Sequence, residues 1–170
     1  YISCHTQGEE GYDFMYKLRR FYPLLRFVGK DGKRFGYRQT RLNEFQDRHG
    51  IDRTAKYRDI TWYKGDQWFS ITHDFSVYLL SRRKDIMKMF YLTNGPDEMF
   101  VQTIAMNSEF AERVKNDSLR KIDWRRGSPY EFTYNDLEEL KGAKELFARK
   151  LSYEKEPELL KAVLDHWGRK

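Results

Sequence analysis

The chain has 170 residues, 39% of them hydrophobic, 16% aromatic and 34% charged, which is enough for one domain with an aromatic core and too apolar for a disordered chain. No apolar run approaches the roughly 20 residues that cross a bilayer, and no signal peptide opens the sequence. The net charge of +6, with an isoelectric point near 9.3, suits nucleic acid, an anionic membrane surface or a phosphorylated small molecule without choosing among them.

Tyr1-Ile2-Ser3-Cys4-His5 reads as the tail of a strand, and the absence of an initiator Met implies sequence upstream. Cys4 is the only cysteine, so an internal disulfide is excluded and a small buried thiol is expected. A loop over residues 7–11 precedes Tyr12 to Leu25, where Phe14, Leu18, Phe21 and Leu25 keep helical spacing until Pro23 interrupts it. Residues 29–36 read as a mobile basic loop, and the Gly-Lys within it lacks the following Ser or Thr of a P-loop. A short helix is expected over residues 41–49 with Leu42 and Phe45 inward, and residues 53–60 are basic and irregular. Residues 61–71 read as a turn leading into a buried strand. Thr72 then caps one helix running to about Phe90, with Phe75, Tyr78, Leu79, Ile86 and Met89 on one side.

After Pro96 starts a further helix, residues 107–119 form a long polar loop. Lys121 to Trp124 is a candidate strand, Gly127-Ser128-Pro129 a turn, and Thr133-x-x-Asp136 a capping-box start for a short helix through Leu140. Leu146 to Leu151 reads as another short strand. Pro157 opens a last helix with Leu160, Val163, Leu164 and Trp167 on one face. The class is mixed α/β with short elements and long loops.

The stretch richest in chemistry is Thr93 to Thr103. Asn94 or Gly95 can cap a helix, Pro96 fits its first turn, and Asp97 and Glu98 suit the positive end of its dipole. The same residues also place Glu98 as a rigidly held general base on a cleft rim. The histidines and Cys4 are scattered without a metal-ligand spacing, and no Asp-x-Asp pair occurs, so a chelated divalent metal has no evident ligands. Trp68 and Phe69 follow a Lys-Gly-Asp-Gln turn, where an aromatic face can pack on a sugar ring or base while Asp66 and Gln67 order hydroxyls. Alternatively, the two rings alternate across a strand, one of them in the core. Arg149-Lys150 closes an apolar strand end, as a diphosphate-neutralising pair or as a solvated basic pair.

Four signatures follow in one order: Lys64-Gly65-Asp66-Gln67-Trp68-Phe69-Ser70, Pro96-Asp97-Glu98-Met99-Phe100-x-x-Thr103, Leu119-Arg120-Lys121-Ile122-Asp123-Trp124 and Leu146-Phe147-Ala148-Arg149-Lys150. Together they resemble the core-2/I-branching β-1,6-N-acetylglucosaminyltransferase and peptide O-xylosyltransferase family, densely from Lys64 to Lys150. The resemblance implies a GT-A-like fold and an inverting transferase that moves a GlcNAc- or xylose-type sugar from a UDP-sugar to a hydroxyl, with no metal. Glu98 matches its catalytic base and Lys150 its diphosphate-binding cation, with Arg149 beside it. Gly65, Asp66, Gln67 and Trp68 match a segment lining the substrate site, and Asp97 and Trp124 complete the expected substrate-binding set. A second diphosphate-binding arginine falls by counting on Gly127, which leaves Arg120, Arg125 or Arg126 to substitute.

On this resemblance residues 1–170 form a single C-terminal catalytic portion, and the N-terminal nucleotide-binding half is absent. The implied partners are a UDP-sugar and a glycan acceptor, with no other cofactor. Peripheral membrane association is a further expectation, at the cytoplasmic face in a bacterium or in the Golgi of a eukaryote. Two other readings stand beside it. One is a basic, aromatic-rich nucleic-acid-binding domain, supported by the charge and by the interleaved Tyr12 to Arg26, although it has no RNP, KH or helix-turn-helix signature. The other is a non-catalytic carbohydrate-binding remnant.

Overall fold

A computed structural model describes residues 1–9, 13–27 and 32–168, apart from the side chains of Arg26 and residues 32–34. The chain divides into two units, Tyr1–Ser118 and Leu119–Lys170.

In the first unit the helix order is α1 (Met15–Arg19), α2 (Gly32–Arg48), α3 (His73–Ser81), α4 (Arg83–Met89) and α5 (Phe100–Met106). Helix α5 is the centre. Val101 to Ala105 are all buried, as expected of a helix enclosed on every side. One apolar cluster gathers Phe14, Leu18, Trp62, Met89, Phe90 and Met99, and a second gathers Ile2, Cys4, Phe75, Val101 and Ala105. The expected small buried thiol is therefore where Cys4 lies, and burial pushes its pKa up to about 12.

Polar groups on α5 replace a neighbouring strand. The Thr103 hydroxyl accepts the Tyr63 N–H at 3.1 Å and donates to the Tyr63 carbonyl at 3.2 Å. Asn107 donates to the Thr61 carbonyl at 2.6 Å and accepts the Thr61 N–H at 3.0 Å. Gln102 donates to the Asp66 carbonyl at 2.8 Å. With these main-chain groups satisfied by side chains, residues 61–71 form no regular strand. They pair with the chain start only through antiparallel bridges, Ile2 with Phe69 and His5 with Lys64. Between the bridges, an ideal Cβ on Gly65 would lie 1.7 Å from the Ser3 carbonyl oxygen, so only glycine fits.

Three expectations need correction here. The helix expected over 41–49 is longer, beginning at Gly32, so residues 32–36 of the expected loop are helical while residues 29–31 lie outside the described residues. Its buried residues are Gln39 and Gln46, 4% and 3% exposed, with Leu42 half-buried on the same face, whereas Phe45 is 50% exposed. The cause is the irregular Pro-containing segment beneath. Gln46 accepts the Phe21 N–H at 2.7 Å and donates to the Phe21 carbonyl at 3.0 Å, and Gln39 accepts the Leu24 N–H at 3.2 Å. The single helix expected over 72–90 is two, broken at Arg82 (φ −89°, ψ 6°). There the Ser81 hydroxyl donates to the Tyr78 carbonyl at 2.7 Å, a back-bond that bends helices. Thr72 stands at the N-cap as expected, but its side chain makes no capping bond; its hydroxyl is taken by Asp74.

The second unit holds β1 (Arg120–Ile122) and β2 (Phe147–Arg149), paired in parallel with Arg120 opposite Phe147 and Ile122 opposite Arg149. Between them runs α6 (Leu137–Lys141), and α7 (Pro157–Trp167) follows. The Thr133/Asp136 capping box forms as expected, on a 3-10 turn that leads into α6. Phe132, Leu137, Leu140 and Leu159 make the core, with Ala162 and Val163 packed on it. The face of α7 is thus rotated from the expected one, and Leu164 and Trp167 are exposed. Helices around a small parallel sheet give the α/β class.

Candidate active site

Gly95 adopts a left-handed conformation (φ 64°), which reverses the chain into a 3-10 turn at Pro96–Glu98. The expected α-helix from Pro96 begins only at Phe100, because Met99 (φ −135°, ψ −34°) leaves helical geometry. Met99 is fully buried, and its burial anchors the turn. Glu98 therefore stands on a short tight turn at the entrance to α5. Its main chain is fixed by the Gly65 N–H, which donates to the Glu98 carbonyl at 2.8 Å.

The Glu98 side chain is 30% exposed, and its Oε2 lies 3.4 Å from Lys17 Nζ and 3.3 Å from Lys64 Nζ. Lys17 comes from α1 and Lys64 from the bridge to His5. Partly solvated pairs of this kind are worth up to about 1 kcal/mol each, so their main effect is to orient the carboxylate. Both contacts fall on Oε2. Asp97 is exposed and bonded to Gln67, which ties the Asp66–Gln67 loop to the same turn. Trp68 is exposed, while Phe69 packs against the Ile2–Phe75 cluster. The two rings divide between surface and core. The turn and the 65–68 loop are thus brought together, with Gly65, Gln67, Asp97 and Glu98 directly connected.

Sequence reasoning missed Lys17, which is 81 residues from Glu98 and carries no local signal. Lys64 stood in the quoted motif beside Gly65 without a role. Gln102 was also passed over, although a glutamine within the buried Val101–Ala105 stretch of α5 is itself a sign that a backbone needs a partner.

In the second unit the main chain of Lys150 is held on both sides. Its N–H donates to the Tyr130 carbonyl at 3.1 Å, and its carbonyl accepts the Phe132 N–H at 2.9 Å. The Lys150 side chain is exposed and follows directly on β2, whose last residue is Arg149. The Arg120 guanidinium sits 4.8 Å over the Phe147 ring. Arg126 is engaged by three carboxylates, with Asp136 at 2.7 Å, Glu139 at 2.8 Å and Asp123 also in contact. It also lies 4.2 Å over the Tyr130 ring. The side-chain bond to Asp123, then that to Asp136, raise the Arg126 pKa above its ordinary value. The Arg126 N–H and guanidinium hold Asp123 down at about 2. Trp124 is exposed, beside the turn that Asp123 closes by accepting the Arg125 and Arg126 N–H groups at 2.7 and 2.9 Å. Among the described residues no group of three or more His, Cys, Asp or Glu is placed to hold a metal ion.

These elements define an α/β protein whose first unit presents an oriented, solvent-reaching glutamate on a rigid turn, a group suited to proton abstraction. The model of the Core-2/I-Branching enzyme family matches residues 11–146, and the chain belongs to this family, which is one of glycosyltransferases. The matched span includes Lys17, the 64–70 loop and Glu98, and ends before Arg149-Lys150. No curated protein matches the chain.

Proposed function

We propose that the chain is the base-bearing part of an inverting glycosyltransferase that moves a GlcNAc- or xylose-type sugar from a UDP-sugar to a hydroxyl of a glycan or related acceptor. The observation that carries this reading is the Glu98 carboxylate, fixed through its own main chain and oriented by two lysines on one oxygen. Oε1 is the oxygen assigned to the acceptor. It takes the hydroxyl proton as the acceptor oxygen forms its bond to the anomeric carbon. The bond from that carbon to UDP breaks on the opposite face, and UDP leaves with the electron pair. A single displacement of this kind inverts the anomeric centre.

The negative charge that develops on the departing diphosphate is assigned to Lys150, with Arg149 and Arg120 as supporting cations in place of a metal. Arg126 is assigned instead to bracing its own loop, since its three carboxylate partners already balance its charge. Gly65 to Trp68, Asp97 and Trp124 are assigned to the substrates. The exposed Trp68 ring offers a face for a sugar.

In the full-length protein, Glu98→Gln should lower turnover by two or more orders of magnitude, the usual loss for a general base. Donor binding, measured by calorimetry with UDP, should stay near the native value, because the amide is almost isosteric. Turnover within a few-fold of native would remove Glu98 from the reaction.

A further inference from the structure

The turn that carries Glu98 also contributes Pro96 and Asp97 to the lining of an open groove of about 700 Å³ in the first unit. Its walls are almost wholly apolar. Half-buried Leu79, Ile86 and Phe100 line its inner side. Leu80, Met87 and Tyr91 stand at the groove with 71%, 62% and 62% of their surface exposed. A monomeric protein rarely leaves so many large apolar side chains together in water without a use for them.

Cations are interleaved with these side chains. Helix α4 turns Ile86 and Met89 inward, and its exposed side carries Arg83, Lys84, Met87 and Lys88. Arg83 itself lines the groove. The acidic groups nearby are already engaged, Asp85 with Arg82 at 3.0 Å and Asp97 with Gln67. The face is therefore apolar and positive together.

That combination selects among occupants. Nucleic acid would meet the cations, but beside the single ring of Tyr91 the exposed contacts Leu80 and Met87 are not aromatic and give its bases nothing to stack on. A second copy docked about a two-fold axis would bring Arg83, Lys84 and Lys88 against their own kind. An anionic bilayer answers both halves of the face. Its headgroup phosphates pair with the cations, and the boundary beneath takes aliphatic side chains and an interfacial tyrosine.

We infer that the α3–α4 face, with Leu80, Met87 and Tyr91 as its apolar contacts and Arg83, Lys84 and Lys88 as its cations, docks the protein on an anionic lipid bilayer. The inference does not depend on the role given to Glu98. Docking through this face would bring the Pro96–Glu98 turn close to the lipid surface.

The test is sedimentation of the full-length protein with sucrose-loaded vesicles, either of phosphatidylcholine alone or of equal parts phosphatidylcholine and phosphatidylglycerol. The native protein should partition onto the anionic vesicles, far less onto the neutral ones, and be released by high salt. The triple variant Arg83→Gln, Lys84→Gln, Lys88→Gln should lower the partition coefficient about a hundredfold, at about fivefold for each cation. The double variant Leu80→Ser, Met87→Ser should lower it at least about tenfold. All five residues are exposed, and circular dichroism would confirm that the variants are folded. Arg38→Gln, Arg41→Gln and Arg48→Gln together remove the same charge from α2 and should leave partitioning within about twofold of native. Absence of any preference for anionic vesicles would overturn the inference, as would native binding by the apolar variant or an equal loss in the α2 variant.

Discussion

Replacing Gly65 with alanine puts a methyl carbon where the Ser3 carbonyl already sits. The new Cβ would lie 1.7 Å from the Ser3 oxygen, 2.6 Å from its carbonyl carbon and 3.2 Å from Gln102 Cγ. The two closest atoms are backbone, so no flexible side chain can yield. If the Tyr1–His5 segment swings away, the paired bonds between His5 and Lys64, at 2.8 and 3.0 Å, are lost. If Gly65 moves instead, its 2.8 Å bond to the Glu98 carbonyl goes. At about 1 kcal/mol for each bond and about 1–3 kcal/mol for the overpacking, Gly65→Ala should destabilise the first unit by about 2–5 kcal/mol, the lower end if Gly65 moves and the upper end if the Tyr1–His5 segment does. That is a large fraction of the roughly 5–15 kcal/mol that holds a domain folded. Urea denaturation followed by tryptophan fluorescence reads the loss, since Trp62 lies in the first unit's core. A midpoint shift worth less than about 1 kcal/mol would mean that the Ser3 carbonyl does not press on Gly65, and that the chain start does not hold the loop beneath Glu98.

Two further outcomes follow from the second unit. The transferase should keep its rate in excess EDTA, while Lys150→Ala weakens UDP binding by about 1.5–3 kcal/mol, the range for a charge-assisted contact; inhibition by EDTA that manganese reverses would assign the diphosphate to a metal instead. Asp123, held at about 2 by the Arg126 N–H and guanidinium, has a folded pKa below its ordinary value. Its contribution to stability is present above that ordinary value and is lost as pH falls toward 2. An acid titration read by Trp124 fluorescence should show this loss, and Asp123→Asn should flatten it; identical profiles for the two proteins would show that the Arg126 cluster does not stabilise its loop.

What was legible in the sequence was local. Thr133 and Asp136 stand three residues apart and cap each other, and Pro157 opens α7 because its missing N–H costs nothing in a first turn. Both strands of the second unit fall within one residue of a stretch read in advance. What escaped answers to distant parts of the chain. Nothing near Gln46 announces that Phe21, 25 residues away, needs both a donor and an acceptor. The sequence around Glu98 marks it as a candidate base, yet Lys17 reaches it only because α1 packs Phe14 and Leu18 into the cluster that holds Met99. Arg126 looked interchangeable with its neighbours by count, and only its three carboxylates set it apart.

Helix α5 and its C-cap Asn107 hold the Thr61–Asp66 segment by the side chains of Gln102, Thr103 and Asn107, and Glu98 stands two residues before the first residue of the same helix. The glutamate and Lys64 are thus gauged from a single datum, like two marks cut on one rule. A displacement of α5 that keeps these bonds should carry both along and so preserve the 3.3 Å between them. Lys17 is carried instead by α1, a separate helix of the same unit, so the asymmetry is measurable. Across a temperature series the Glu98–Lys17 distance should widen first, and the angle of the carboxylate, rather than its position, should be what warming changes.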